Sequence, residues 1–331
     1  MAQASRFANG VTALDKEHKL RADSLKRIIM RRFFHHRMAA VGMALMGFVL
    51  VFVIGGALFY TEEYANNPSL TGRLLAPTFD LDLVFGPDES GAGRYLFGTD
   101  ETGRDLFSRA IYGGQISLAI GFSAVAISVT LGTLVGLVSG YFGGIIDAIL
   151  MRIVEALLTI PPLVLLLMLN RTFVEHSTST VNFLGRELSI TVFAIVGIIG
   201  LTSWMGLSRI VRSLVLSLKE QEFILAARMV GAGTPRIIFV HILPNCVAPI
   251  MVAATLGIGN AILTETALSF LGFGVTPPTA TWGNIIARAR TDIEGWWWIW
   301  VFPGMFIVLT SLAINFIGDG LRDAFDPRSL K

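Results

Sequence analysis

The sequence predicts an all-α integral membrane protein with six transmembrane helices. The chain has 331 residues, of which 53% are hydrophobic and only 15% are charged, whereas a soluble domain carries roughly a quarter charged residues. Six apolar stretches are each long enough to cross a bilayer, which takes about 20 residues. These stretches are too long for the strands of a membrane barrel, and only a helix or a closed barrel satisfies its own backbone in lipid.

The first apolar stretch follows a basic N-terminal segment, residues 1–37. It covers residues 38–60 and is 23 residues long, whereas the apolar part of a cleaved signal peptide has about 7–15 residues. We therefore interpret it as a first membrane helix that is not removed. The other five stretches belong to a core of residues 110–318. They are residues 116–142, 146–170, 190–207, 242–264 and 296–317.

The distribution of lysine and arginine predicts which side of the membrane each loop faces. With six spans, both termini lie on the same side. If that side is the cytoplasm, 17 basic residues lie inside and eight lie outside, as the positive-inside rule favours. We therefore expect a cytoplasmic N-terminal segment, an external loop of residues 61–109, a cytoplasmic loop of residues 208–240 and a cytoplasmic tail of residues 319–331.

The external loop ends in residues 97–105, which read FGTDETGRD. Thr99 is a plausible helix N-cap, because acidic residues follow it in what would be the first helical turn. On local evidence alone, the segment predicts a capped surface helix that leads into the second span.

A stripe of glycines runs along the second span and just beyond it. Its members are Gly132, Gly136, Gly140 and Gly144. A spacing of four places them on one helix face, and a face without side chains lets another helix approach closely. Two interpretations remain open: a specialised contact, within the core or with another subunit, and ordinary helix packing.

Charged residues and prolines mark two of the spans. Arg152 and Glu155 are three residues apart in the third span and could pair, while Glu265 lies at the outer end of the fifth. Charges at membrane depth are candidates for a transport pathway or for ion pairing; the alternative is an interfacial pair and a water-exposed helix end. The third span also carries Pro161-Pro162, which predicts a bend.

The cytoplasmic loop contains a predicted short helix within residues 219–236. Apolar residues recur there at helical spacing and predict one apolar face, formed by Phe223, Ile224, Ala227 and Val230. Gly231 and Gly233 predict its end, and Thr234-Pro235 predicts the start of a new helix. Such a helix can lie on lipid or dock into a groove of a partner, and the sequence pattern does not choose between the two.

Several chemical functions find no support in the sequence. It lacks the phosphate-binding pattern G-x-x-x-x-G-K-[ST] and the catalytic patterns G-x-S-x-G and H-E-x-x-H. Its one cysteine, Cys246, rules out an internal disulfide, and the five histidines are scattered. The net charge of +2 gives no indication of nucleic acid binding. We expect a chain that is not an enzyme and binds no metal and no cofactor of its own.

The cytoplasmic loop resembles the loop that permeases of binding-protein-dependent ABC importers present to their ATPases. In the peptide branch of that family the pattern is E-[FY]-x-x-A-A-R-x-x-G followed by H-x-L-P-N. The matching residues here are Glu222, Phe223, Ala226, Ala227, Arg228, Gly231, His241, Leu243, Pro244 and Asn245. Leu225 stands where the general loop has a glutamate, and His241 stands where isoleucine is common; both departures fit the peptide branch.

Further segments resemble the C-type permease subunits of dipeptide and oligopeptide importers. They are residues 98–105, residues 140–144 (GYFGG), residues 268–272 (LSFLG), and residues 318–324 (GDGLRDA) with Asp326-Pro327. The likeness runs from about residue 31 to residue 327. It implies the fold of a type I ABC importer permease in a bacterial inner membrane.

The resemblance also implies partners. These are a homologous B-type permease, two ABC ATPase subunits that hold ATP and Mg²⁺, an external substrate-binding protein, membrane lipid and a di- or oligopeptide substrate. The loop helix would be the coupling helix, and its contacts with an ATPase would come from Glu222, Phe223, Ala226, Ala227, Arg228, Gly231 and Pro244.

Three alternatives remain at this point. Members of the same family also import nickel, glutathione or other small solutes. An ion-coupled secondary transporter would need acids or broken helices around a central site, and the charges noted above are few and peripheral. An intramembrane enzyme would need a catalytic constellation, which the sequence does not show.

Overall fold

The computed structural model describes residues 25–69, 72–78, 95–173, 179–183, 185–291 and 293–325. Helices dominate these ranges. In chain order they are α1 (Leu25–His35), α2 (Arg37–Leu50), α3 (Glu62–Asn66), α4 (Leu106–Phe142), α5 (Gly144–Thr159), α6 (Pro162–Phe173), α7 (Ile190–Leu218), α8 (Glu222–Met229), α9 (Thr234–Arg236), α10 (Leu243–Phe270), α11 (Trp282–Arg288) and α12 (Trp297–Phe325). An antiparallel hairpin of β1 (Thr180–Phe183) and β2 (Arg186–Ser189) precedes α7.

The number of membrane helices agrees with the hydropathy pattern. Five segments of the described chain are long and apolar enough to cross a bilayer: Arg37–Leu58, Leu106–Phe142, Ile190–Leu218, Thr234–Phe270 and Trp297–Phe325. A sixth span is present if the bent pair α5 and α6 crosses together. The all-helical membrane fold expected from the sequence is therefore confirmed.

The third predicted span, residues 146–170, is a broken helix. α5 and α6 meet at 89°, and Ile160 between them has the extended backbone angles φ −80° and ψ 127°. Pro161 and Pro162 explain the break, because each lacks an amide donor and each forces the preceding residue out of helical geometry.

Three helices extend past the boundaries that hydropathy predicted. α4 begins at Leu106 rather than near residue 116, α7 continues to Leu218 rather than ending near residue 207, and α12 continues to Phe325. The predicted cytoplasmic loop therefore starts as helix, and the predicted tail is helical as far as Phe325. Hydropathy measures the lipid-embedded part of a helix, whereas tertiary packing lets the helix continue into water.

The glycine stripe lies at the most extensive helix contact of the described chain, that of α4 with α7. A Cβ atom added at Gly132, Gly136 or Gly140 would lie 2.8, 2.7 or 2.9 Å from a carbonyl oxygen of α7. Gly144 does not belong to this contact, because it begins α5 and has no atom of another segment within 4 Å of its Cβ position. The stripe therefore packs two helices of this one chain together.

We expect Gly136→Leu to destabilise the folded chain by about 1–3 kcal/mol or more, the usual cost of overpacking. A Cβ at this position would lie 2.6 Å from Val211 Cβ and 2.7 Å from Ser208 O. The control is Gly197→Leu on α7, where nothing lies within 4 Å. Thermal unfolding of the two variants in detergent checks this, and equal midpoints would show that the α4–α7 contact is loose.

Candidate functional site

The short helix α8 stands where the sequence predicted one, between α7 and α10. It ends at Gly231, whose φ of +87° lies in the left-handed region that favours glycine. The amide of Gly231 donates to Arg228 O (2.9 Å), and that of Ala232 donates to Ala227 O (3.0 Å). Pro235 then lies in the first turn of α9, so the loop is built from two helices with a glycine turn between them.

Ile224 points away from the other three apolar residues, contrary to the single apolar face that the sequence predicted. Ile224 is fully buried and packs with Val215 of α7 and Ile242 before α10. Phe223 is 44% exposed and Val230 is 89% exposed. The spacing identified the apolar positions but not their direction, because α8 crosses the ends of α7 and α10 and only Ile224 reaches the core between them.

The tip of α8 presents apolar side chains to its surroundings. We define the α8 tip as Phe223, Leu225, Met229 and Val230, each at least 44% exposed. Ala227 lies half-buried among them, and Arg228 stacks on the ring of Tyr141 at the end of α4, 5.6 Å from its centroid. Glu222, Ala226, Gly231 and Pro244 are also exposed. α8 is therefore held to the core through Ile224 and exposes apolar side chains on its other sides.

A polar contact that sequence reasoning missed joins three helices near this loop. Asp147 of α5 accepts hydrogen bonds from Arg212 Nε (2.5 Å) and Nη2 (2.6 Å) of α7 and from the hydroxyl of Ser139 on α4. Arg152 Nη1 lies 3.5 Å from Glu155 Oε2, but both side chains are largely exposed. Asp147 thus joins α4, α5 and α7 through side-chain hydrogen bonds, and the sequence does not reveal the pair because Arg212 lies 65 positions further along the chain.

Glu265 is fully buried rather than exposed at a helix end. Its Oε1 accepts hydrogen bonds from Ser269 (2.8 Å) on the same helix and from Thr281 (2.8 Å), the N-cap of α11. Trp282, the next residue, donates through its indole to Ala110 O of α4 (2.9 Å). Glu265 therefore fastens α11 to α10 and does not face an open pathway.

The segment 97–105 folds into a tight loop in which Thr99 is not the helix cap. The Thr99 hydroxyl donates to Gly72 O (2.6 Å) and accepts from the amide of Leu75 (2.8 Å). Asp105 caps α4 instead, accepting from the amides of Phe107 and Ser108. The sequence prediction was wrong because residues about 25 positions upstream take up the threonine side chain.

Asp100 and two arginines form a buried charge cluster at this loop, which we call the Asp100 cluster. Its carboxylate accepts from Thr102 and from Arg104 Nε (2.8 Å), and Arg109 Nε lies 3.9 Å away. Asp100 is fully buried and Arg109 is 1% exposed. Burial raises the pKa of Asp100, but the Thr102 hydrogen bond and the two guanidinium charges outweigh it and hold the pKa below its ordinary value.

The described residues contain no group of three or more His, Cys, Asp or Glu side chains that could hold a metal ion. Cys246 is fully buried in the cluster around α7 and α10. The described chain thus has a core of long apolar helices, a loop before α4 that is anchored by buried polar contacts, and exposed apolar side chains on α8.

Comparison with known proteins identifies similar chains. Residues 132–331 match the family described as binding-protein-dependent transport system inner membrane component. Residues 24–77 match the N-terminal transmembrane domain of oligopeptide transport permease C.

Three curated relatives are similar over most of their length. A putative peptide permease protein of Brucella suis is 41% identical over 90% of this chain and 89% of its own. A di/tripeptide transport system permease protein of Pseudomonas aeruginosa is 41% identical over 89% and 90%. An oligopeptide transport system permease protein of Haemophilus influenzae is 35% identical over 97% and 94%.

Proposed function

Because the chain belongs to the inner membrane components of binding-protein-dependent transport systems, in their dipeptide and oligopeptide permease branch, we propose that it is the C-type permease of an ATP-driven peptide importer. It forms the translocation pathway together with a homologous B-type permease. Two ABC ATPase subunits, which hold ATP and Mg²⁺, drive it, and an external binding protein delivers the peptide.

The observation that carries the coupling role is the α8 tip. α7 runs nine residues past Arg209, the first charge along this helix, which is about 14 Å of helix at 1.5 Å per residue. The headgroup layer on each side of a bilayer is only about 5–8 Å thick. α8 therefore extends past the lipid, where its exposed apolar residues favour docking into a partner protein over lying on the membrane.

The contact with an ATPase would use the residues around that tip. Phe223 and Ala227 lie one helical turn apart and face outward together with Val230. Arg228 is held on Tyr141 and fixes the rotation of α8. Closure of the ATPases would push on α8, and the buried Ile224 would pass that push to α7 and α10.

Membrane orientation follows from the same proposal. We expect the α8 loop and both termini to face the cytoplasm and the loop containing the Asp100 cluster to face outward. Reporter fusions after Lys331 and within residues 66–80 should report opposite sides of the membrane. A result that places both fusions on one side would contradict this topology.

The substrate is a di- or oligopeptide in this proposal, since relatives in this branch are named for peptide transport. Nickel, glutathione or another small solute remains the second candidate. The burial of Glu265 against Ser269 and Thr281 weighs against an ion-coupled transporter, which would need an accessible acid on its pathway.

The test is reconstitution. The chain, its B-type permease, the two ATPases and the binding protein are placed in proteoliposomes, and uptake of labelled trialanine is measured. Uptake should require ATP and all the subunits, and the chain purified alone should not hydrolyse ATP. Uptake that persists without the ATPases and follows a proton gradient would instead establish a secondary transporter.

A further inference from the structure

Two adjoining cavities lie along α7. A cavity of about 330 Å³ lies between α4, α7 and α10, and Ser128, Ser203 and Asn260 line it. A second cavity of about 670 Å³ lies between α5 and α7. Both cavities are lined by Gly206 and Ile210, so they adjoin at these residues. The first cavity, nearer the start of α7, is the upper one. We call the two cavities together the α7 groove. The volume of the upper cavity falls within the range of roughly 300–1,000 Å³ that is typical of small-molecule binding sites.

Polar side chains in the upper part of the groove lack partners within the described chain. The side chain of Ser128 lies in the membrane core and is only 7% exposed. Its hydroxyl nevertheless has no hydrogen-bond partner among the described residues. The same holds for the side chains of Ser203 and Asn260, which are exposed to the groove.

Several other hydroxyls in the same helices are satisfied, although Thr133 of α4 is buried without a hydrogen-bond partner in the described chain. Thr130, Thr202 and Thr255 each donate to the carbonyl oxygen four residues earlier, at 2.7, 2.8 and 2.7 Å. A polar group that faces an apolar environment without a hydrogen bond costs roughly 1–3 kcal/mol by mutational measures. Ser128 is such a group, and the exposed side chains of Ser203 and Asn260 line the same cavity, which indicates that water or a polar ligand meets them there.

The ionisable residues of the groove lie in its second cavity and not in its upper one. Among the described residues, no ionisable side chain lines the upper cavity, whereas Glu155, Arg209 and Arg212 line the second. Arg212 is already engaged by Asp147. Serine hydroxyls and an asparagine amide both donate and accept hydrogen bonds. The upper cavity therefore suits a neutral group with alternating hydrogen-bond donors and acceptors, such as a peptide main chain. It offers no charged residue that would select for the charge of a ligand's side chains.

Gly206 of α7 lies where the two cavities adjoin. A Cβ atom there would have no neighbour within 4 Å among the described residues, so the close packing of α7 on α4 does not require this glycine. Its effect is to keep the groove wide where the two cavities join.

We infer that the α7 groove is this chain's half of the peptide pathway and that Ser128, Ser203 and Asn260 bind the main chain of the passing peptide. The inference rests on the proposed permease function. It predicts a pathway that reads peptide amides rather than side chains, with the charged residues confined to the mouth near α5.

The test uses single cysteines in the full transporter. Cys246→Ala removes the native thiol, and Ser203→Cys or Asn260→Cys is then added. Leu201→Cys is the matched control, two residues from Ser203 on α7 and 57% exposed on another side of the helix. The probe is the charged, water-soluble reagent trimethylammonium-ethyl methanethiosulfonate.

We expect the groove cysteines to react at least about tenfold faster than Leu201→Cys, because the reactive thiolate forms in water and not in lipid. Excess trialanine during ATP-driven turnover should slow the labelling of Ser203→Cys and Asn260→Cys and leave that of Leu201→Cys unchanged. Two groove positions on two helices guard against a local defect at either one.

Three results would overturn the inference. Groove cysteines that react only with an apolar maleimide would show that lipid fills the groove. Cysteines that react with neither reagent until the B-type permease is omitted would show that a partner helix fills it. Labelling that trialanine does not change would separate the groove from the substrate. In each case, trialanine uptake by the Leu201→Cys transporter would still support the permease function.

Discussion

Replacing Ala227 with arginine is expected to abolish ATP-dependent peptide uptake while the chain remains inserted in the membrane. Ala227 is half-buried between the exposed residues of the α8 tip. An arginine there would add bulk and, on docking, bury a charge without a partner, which costs roughly 3–5 kcal/mol. A loss of that size weakens binding by about a hundredfold or more.

Co-purification of the ATPase subunits and trialanine uptake are the two measurements for this variant. Ala227→Ser is the control, because serine is nearly as small as alanine and carries no charge, and it should retain most of both activities. Reporter fusions should show the same topology for both variants, since α8 lies outside the membrane spans. Normal ATPase binding by Ala227→Arg would show that the α8 tip is not the coupling surface.

The membrane spans could be predicted from sequence because each carries its own signal. An apolar run of about 20 residues identifies a span whatever surrounds it, and Pro161-Pro162 marks the one break in the third span. Through their own backbone preferences, Gly231 likewise marks the end of α8 and Pro235 marks the start of α9.

The polar contacts could not be predicted, because each depends on residues distant in the chain. Asp147 and Arg212 are 65 positions apart, and neither residue type indicates its partner. Thr99 has the chemistry of an N-cap, but Gly72 and Leu75 occupy its hydroxyl. The direction of Ile224 and the partnerless hydroxyl of Ser128 also follow only from the arrangement of α4, α7 and α10.

The Asp100 cluster shows what such a distant contact contributes. Arg109 is 1% exposed, donates to Asn66 Oδ1 (3.0 Å), and has an Nε atom with no hydrogen-bond partner in the described chain. The carboxylate of Asp100, 3.9 Å from that Nε, is its neutralising charge. The cluster thereby joins the loop before α4 to α3 and to α4 itself.

We expect Asp100→Ala to destabilise the folded protein by about 3–5 kcal/mol, because it leaves Arg104 and Arg109 buried without their carboxylate. Glu101→Ala is the matched control. It removes the neighbouring acid, whose salt bridge to Arg288 (2.6 Å) is 43% exposed on the glutamate side, and such pairs contribute about 1 kcal/mol or less. Thermal unfolding in detergent and the amount of folded protein in the membrane compare the two.

The pH dependence of unfolding gives a second measurement on the same pair. The pKa of Asp100 in the folded protein is held below its ordinary value. The ionised carboxylate therefore stabilises the fold fully at any pH above its unfolded-state pKa of about 3.9. This stabilisation is lost as the pH falls through the lower pKa of the folded state. The difference in stability between the wild-type chain and Asp100→Ala should therefore be constant from neutral pH down to about pH 4 and shrink below it. Two results would contradict this role of Asp100. One is equal destabilisation by Asp100→Ala and Glu101→Ala, and the other is a stability difference between wild type and Asp100→Ala that vanishes already near neutral pH. Either would mean that another group neutralises the buried arginines and that the loop before α4 is held without Asp100.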